Sequence, residues 1–153
     1  MRRFFSRSAS ATKKFAAQFA KSVLQSAPES RLAKILVLAG DLGSGKTTFV
    51  QGFVKACGVS ERIVSPTFLI CRRYNLRNKH YTRIYHVDLY RIHSARELKH
   101  LDFKKIITQP NNIVLIEWGD KIRKHLPRRV FWLYFSHPEK PNERLIRTYL
   151  KIP

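Results

Sequence analysis

The stretch LVLAGDLGSGKTTFVQGF, Leu36 to Phe53, decides the fold. An apolar run stops at Gly40, a loop with Gly43 and Gly45 follows, and Lys46, Thr47 and Thr48 open what reads as a helix. Gly40 to Thr47 fit G-x-x-x-x-G-K-[ST] without a gap, the spacing of a phosphate-binding loop. Glycines let the backbone take unusual dihedrals and come close to an anion. Successive N–H groups then point into one nest. The following helix adds its free N–H groups and the positive end of its dipole. On this reading Asp41, Leu42, Gly43, Ser44 and Gly45 cradle the phosphates of a nucleoside triphosphate. Lys46 reaches the β- and γ-phosphates, and the Thr47 hydroxyl coordinates Mg²⁺. Asp41 fixes the loop backbone rather than performing chemistry.

Working outward, Ala33 to Gly40 read as a buried strand. Lys46 to Gly58 read as the helix after it, with Phe49, Phe53 and Val54 on one face and Gly58 as its stop. Two strands around a polar turn at Asn75 to Lys79 suggest a hairpin. SARELKHLDFKKII reads as helical, with a capping box between Ser94 and Glu97. NNIVLIEW is a second buried strand, and GDKIRKHLP a short helix with Asp120 near its start as a cap. RRVFWLYFSH and ERLIRTYLKI alternate like a closing pair around a PEKPN turn. Mixed strands and helices, with the phosphate loop between a strand and a helix, indicate an α/β sheet.

The N-terminal MRRFFSRSASATKKFAAQFAK lacks acids and interleaves Arg, Ser and Phe. Such a composition suits an organellar transit peptide. Against that, Phe15, Phe19 and Val23 fall at helical spacing. The reading taken is a packed helix over residues 10–27, capped by Ser8 or Ser10, behind a short basic lead at 1–9. Residues 10–153 then form a single domain.

The 153 residues include 30 basic and 10 acidic ones, a formal charge of +20. Such a field favours polyanions but does not choose among nucleic acid, membrane and acidic protein. It is equally compatible with a generally basic, solvated surface. No apolar run approaches the roughly 18 residues of a membrane span. Cys57 and Cys71 fit no metal spacing and no disulfide framework. They read as buried thiols.

Mg²⁺ and an attacking water need carboxylates. Glu117 ends the apolar strand IVLI, the Walker B position, and as Glu rather than Asp it has the reach to orient water too. Asp88 ends another strand, in HVDLYR. Thr67, in SPTF, offers a hydroxyl in a loop suited to ordering by a γ-phosphate and Mg²⁺; a strand-initiating turn is the alternative. His86 reads as a packed or hydrogen-bonded histidine before a base, and Trp118 as core or rim.

Taken in order, GDLGSGKTTFVQGF, SPTF, YHVDLYR and IEWGD resemble the TsaE (YjeE) family of P-loop ATPases of bacterial tRNA threonylcarbamoyladenosine synthesis. The resemblance implies a three-layer α/β sandwich with a mixed parallel and antiparallel sheet. It implies ATP and Mg²⁺ as cofactors, slow hydrolysis, and a cytoplasmic protein. The partners would be TsaD and TsaB, which carry out the transfer to adenosine 37 of tRNA. tRNA itself would be met directly or through that complex. Carried over by position, Lys46, Asp88, Glu117 and Thr67 are the catalytic set. Thr47, Glu117 and Asp88 hold the metal, and Thr48 touches the α-phosphate. Residues 8–12 lie near the base. The last hairpin keeps only Glu143-Arg144 of the family's element, and HSARELKHLDFKK is basic where relatives are acidic.

Two other classes compete. A small P-loop kinase needs an acceptor base and a lid, and no insertion of that length stands out. A basic nucleic-acid-binding module with a vestigial P-loop sits poorly with an intact Lys46-Thr47 and Glu117.

Overall fold

The computed structural model describes residues 2–137 and 143–149. Its centre is a seven-stranded sheet: β1 (Arg2–Ser6), β2 (Lys34–Gly40), β3 (Cys71–Asn75), β4 (Arg83–Asp88), β5 (Asn112–Glu117), β6 (Phe131–Ser136) and β7 (Arg144–Tyr149). The order is β1-β7-β6-β2-β5-β4-β3. Strands β6, β2, β5 and β4 run parallel, while β3, β7 and β1 pair antiparallel at the edges. The α/β class and the mixed sheet are those the sequence leads one to expect.

Side-chain alternation along β2 divides the core. Leu36 and Leu38 face one layer, built from helices α1 (Ala9–Gln25) and α2 (Lys46–Ala56), together with Phe49, Phe53, Leu115 and Leu133. Ile35, Val37 and Ala39 face the other layer, where Leu98, Phe103, Ile106 and Ile122 pack. That second layer holds 3₁₀ segments at Ala95–Leu101 and Gly119–His125 and the short helix α3 (Phe103–Ile107). Both faces of the central strands are covered, so β2 and β5 read as unbroken apolar runs rather than alternating ones.

Helix α1 starts where Ser8 caps it, its Oγ accepting from Ala11 N at 3.0 Å. Phe15, Phe19 and Val23 pack on the core as their spacing requires. Gly52 on α2 lets the two helices touch: a Cβ there would lie 2.6 Å from Lys13 Cα.

The structure departs from the sequence reading in three places. The basic lead contains a strand: Arg2–Ser6 pairs with β7, and Phe4 stacks on Phe15 with ring centroids 4.3 Å apart. The helix expected over Ser94–Ile107 is two pieces. Its capping box is present, but Asp102 at φ 49° ends the 3₁₀ segment and turns the chain into α3. Asp120 is not a cap; Trp118 occupies that position and Asp120 falls in the first turn. The PEKPN turn at 138–142 lies outside the described residues.

Candidate functional site

The phosphate loop leaves the carboxyl end of β2, the central strand of the sheet. Its neighbours β5 and β6 lie on opposite sides. Crevices outside the carboxyl ends of strands, where the connections diverge, are where α/β sheets bind ligands. Gly40, Gly43 and Gly45 take φ of 136°, 74° and 100°. At Gly40 close approach is required as well, since a Cβ would meet the Phe135 carbonyl oxygen at 2.1 Å. Gly45 is the N-cap of α2, so the helix's free N–H groups open directly into the loop.

Lys46 is 4% exposed. Its Nζ donates to the carbonyl oxygens of Gly40 at 2.7 Å and Asp41 at 2.8 Å. It also lies 4.0 Å from the centroid of the Trp118 ring. Burial pushes the Lys46 ammonium below the ordinary lysine value, and the charges of Glu117, Asp88, Asp120 and Asp41 draw it back up. Ser44 is fully buried in the loop, its N–H donating to the Asp41 carbonyl. Within the loop the Asp41 carbonyl accepts from both the Ser44 N–H and Lys46 Nζ.

Glu117 ends β5, paired in parallel with Leu38 of β2. The Thr47 hydroxyl donates to Glu117 Oε2 at 2.8 Å. His86 Nε2 lies 2.8 Å from Glu117 Oε1. One register step away, Asp88 pairs with Glu117 across β4 and β5. Asp88 Oδ2 accepts from Ser65 Oγ at 2.5 Å and Thr67 Oγ1 at 2.6 Å, and Oδ1 accepts from the Tyr90 N–H at 3.0 Å. The structure therefore brings Lys46, Thr47, Thr67, Asp88 and Glu117 around one cavity of about 360 Å³, which Leu42, Gly43, Gly45 and Thr48 also line. Across the loop, a second cavity of about 400 Å³ is bounded by Ser8, Thr12, Gly43, Thr48 and Arg144.

Two bulky residues beside the cavity hold left-handed backbones: Ile70 at φ 62° and Trp118 at φ 59°. Such positions cost about 1–3 kcal/mol each and persist where the surroundings enforce them. Ile70 is held by its N–H to the Pro66 carbonyl and by its own carbonyl, which accepts from the Asp88 N–H. Trp118 N donates to the Leu38 carbonyl at 3.0 Å, which turns the indole under Lys46. Gly119 follows because a Cβ there would strike Val37 Cγ1 at 2.5 Å.

One contributor escaped the sequence reading: Ser65 shares Asp88 with Thr67, and its position two residues before Thr67 was the available signal. His86, read as a packed or hydrogen-bonded histidine, is hydrogen-bonded to Glu117; its partner was not legible, since no sequence signal reveals that β4 lies beside β5.

The residues fit a magnesium nucleotide. The Thr47 proton is given to Glu117, which leaves the hydroxyl's lone pairs for a cation. Hydroxyl and carboxylate are the hard oxygen donors that Mg²⁺ takes, with phosphates and water completing its shell. Among the described residues, no group of three or more His, Cys, Asp and Glu side chains could hold a metal ion. No described helix is long and apolar enough to cross a membrane.

Residues 6–146 match the family model described as threonylcarbamoyl adenosine biosynthesis protein TsaE. A Rickettsia typhi protein of the name tRNA threonylcarbamoyladenosine biosynthesis protein TsaE is 40% identical over 116 residues, 75% of this chain and 72% of that protein. A Borreliella burgdorferi protein of the same name is 36% identical over 119 residues, 77% of this chain and 82% of its own length. The crystal structure of Bacillus subtilis YdiB superposes with a TM-score of 0.69 at 26% identity, covering 97% of this chain and 85% of that one.

Proposed function

The chain belongs to the TsaE family, and on that premise we propose that it binds ATP with Mg²⁺, hydrolyses it slowly, and supports turnover of a TsaD–TsaB pair in tRNA threonylcarbamoyladenosine biosynthesis. The observation that carries the proposal is the 2.8 Å bond from Thr47 to Glu117, beside the buried Lys46. It joins a phosphate loop to a strand-end carboxylate in the arrangement magnesium nucleotides require.

Each residue has a part. The N–H groups of Gly43 to Lys46 would donate to phosphate oxygens, and Lys46 would exchange its carbonyl partners Gly40 and Asp41 for the β- and γ-phosphates. Thr47 and Glu117 hold the cation, with Asp88 close by. When bound, Mg²⁺ neutralises charge on the phosphoryl oxygens. Asp88 and Thr67 line the same cavity and would orient the attacking water. Thr48, Arg144 and Ser8 flank the second cavity, where the nucleoside would lie.

This chain would not perform the threonylcarbamoyl transfer itself. Its partners would be proteins, with tRNA met at the assembled complex. The test is ATP hydrolysis by the purified chain, alone and with the TsaD–TsaB pair, with and without tRNA. A low basal rate that changes when the pair is added supports the reading. A rate indifferent to the pair but stimulated by RNA alone, or by a small phosphate acceptor, overturns it.

A further inference from the structure

One buried polar side chain has no part in the scheme above. His86 is fully buried on β4. Leu115 of β5 lies directly opposite it, so Glu117 is its diagonal neighbour two residues along the same face. His86 Nε2 lies 2.8 Å from Glu117 Oε1, while Nδ1 has no hydrogen-bond partner among the described residues.

We propose that His86 is a positioning residue for Glu117: its Nε2–H binds Oε1, fixes the carboxylate plane, and dedicates Oε2 to Thr47 and the cation. The inference rests on the magnesium-nucleotide reading of the cavity. The tautomer follows from the surroundings. A proton on Nδ1 would be a buried donor without an acceptor, which is costlier than an unpaired lone pair on a ring nitrogen. The proton therefore sits on Nε2, where Glu117 receives it.

Two consequences follow from the geometry. Glu117 has both oxygens engaged, Oε1 by His86 and Oε2 by Thr47. It cannot swing an oxygen toward an attacking water without breaking a buried bond. Glu117 is thus held in place for the cation, with Oε2 on the Thr47 side and Oε1 on the His86 side. The reach that made Glu117 a candidate for both tasks is used to meet His86 instead. Hydrogen-bond partners of metal-binding carboxylates act in this way generally, and their loss costs about 10–100-fold in metal affinity or activity.

The test separates positioning from mere packing by reading magnesium rather than turnover. Binding of a fluorescent ATP analogue is measured with Mg²⁺ titrated from zero, for the wild type, His86→Leu and His86→Gln. His86→Leu is expected to need about 10–100-fold more Mg²⁺ for half-maximal binding, while binding in excess chelator stays unchanged. His86→Gln keeps an N–H donor within reach of the same oxygen and is expected to recover most of the loss. A wild-type magnesium requirement in His86→Leu overturns the inference, as does a Gln variant no better than Leu. If His86→Leu does not fold, nitrogen NMR of histidine-labelled wild type decides. The His86 ring should carry its proton on Nε2, and a proton on Nδ1 overturns the assignment. A wild type whose nucleotide binding ignores Mg²⁺ would overturn the nucleotide reading itself, an outcome distinct from failure of the His86 variants.

Discussion

Thr47 Oγ1 and Glu117 Oε2 lie 2.8 Å apart although 70 residues separate them in the chain. The contact ties the first turn of α2 to the end of β5 and places a hydroxyl and a carboxylate where the phosphate loop opens. If this pair holds the cation, Glu117→Gln should fold and keep chelator-insensitive nucleotide binding, yet lose Mg²⁺-dependent turnover by roughly 10²-fold or more. Steady-state hydrolysis against magnesium concentration measures this, and unchanged hydrolysis would refute the Glu117 assignment.

Packing makes its own prediction at Gly52. The nearest atoms to an added Cβ are backbone, Lys13 Cα at 2.6 Å and Lys13 O at 2.7 Å. No side chain can turn aside, so α1 must move off α2. Gly52→Ala should destabilise the fold by about 1–3 kcal/mol, despite Ala's better helix propensity. A thermal melt at or above wild type would contradict the close α1–α2 packing.

Lys46 gives a prediction in pH. Burial sets its folded value below the ordinary 10.5. As pH rises, Lys46 therefore loses its charge before an exposed lysine does. A bound triphosphate favours the charged form and raises that value again. Binding must then take up a proton at pH values above the lowered free value and below the raised bound value, and affinity should fall as pH rises through that window. Calorimetry in two buffers of different ionisation heat reads the uptake directly. Binding with no proton uptake in that window would contradict the burial of a charged Lys46.

The two thiols should be inert in the folded protein. Burial pushes Cys57 up to about 12 and Cys71 up to about 11, so neither forms a thiolate at neutral pH. A chromogenic disulfide reagent should react slowly with the native chain, and both thiols should react once it is unfolded. Fast native labelling of either would contradict its placement.

The strand–loop–helix turn after Gly40 was legible in the sequence because its spacing is rigid. Few sequences other than a strand–loop–helix nest need glycines at 40 and 45 followed by Lys46 and Thr47. The strand-end positions of Glu117 and Asp88 were legible because Glu117 closes the apolar run IVLI and Asp88 closes the strand RIYHV. What stayed hidden depends on distant pairing. Arg2–Ser6 looks like a basic leader until β7 supplies a partner. His86 reads as a packed or hydrogen-bonded histidine, but its partner Glu117 is hidden until β5 is set beside β4. Trp118 carries no sign of its left-handed backbone, since that conformation comes from the β5 exit and the neighbouring Gly119 rather than from its own preference. Asp102 broke a helix that the capping box had favoured, and nothing in its neighbours announced the turn.

The most direct test of the account is calorimetric titration of ATP, with Mg²⁺ present, into the wild-type chain and into Lys46→Ala. The account predicts saturable binding at one site in the wild type, dependent on Mg²⁺, and its loss in Lys46→Ala while the variant's circular dichroism stays native. Equal affinity in the two proteins would contradict it, because the cavity beside Lys46, Thr47 and Glu117 would then not be where the nucleotide binds.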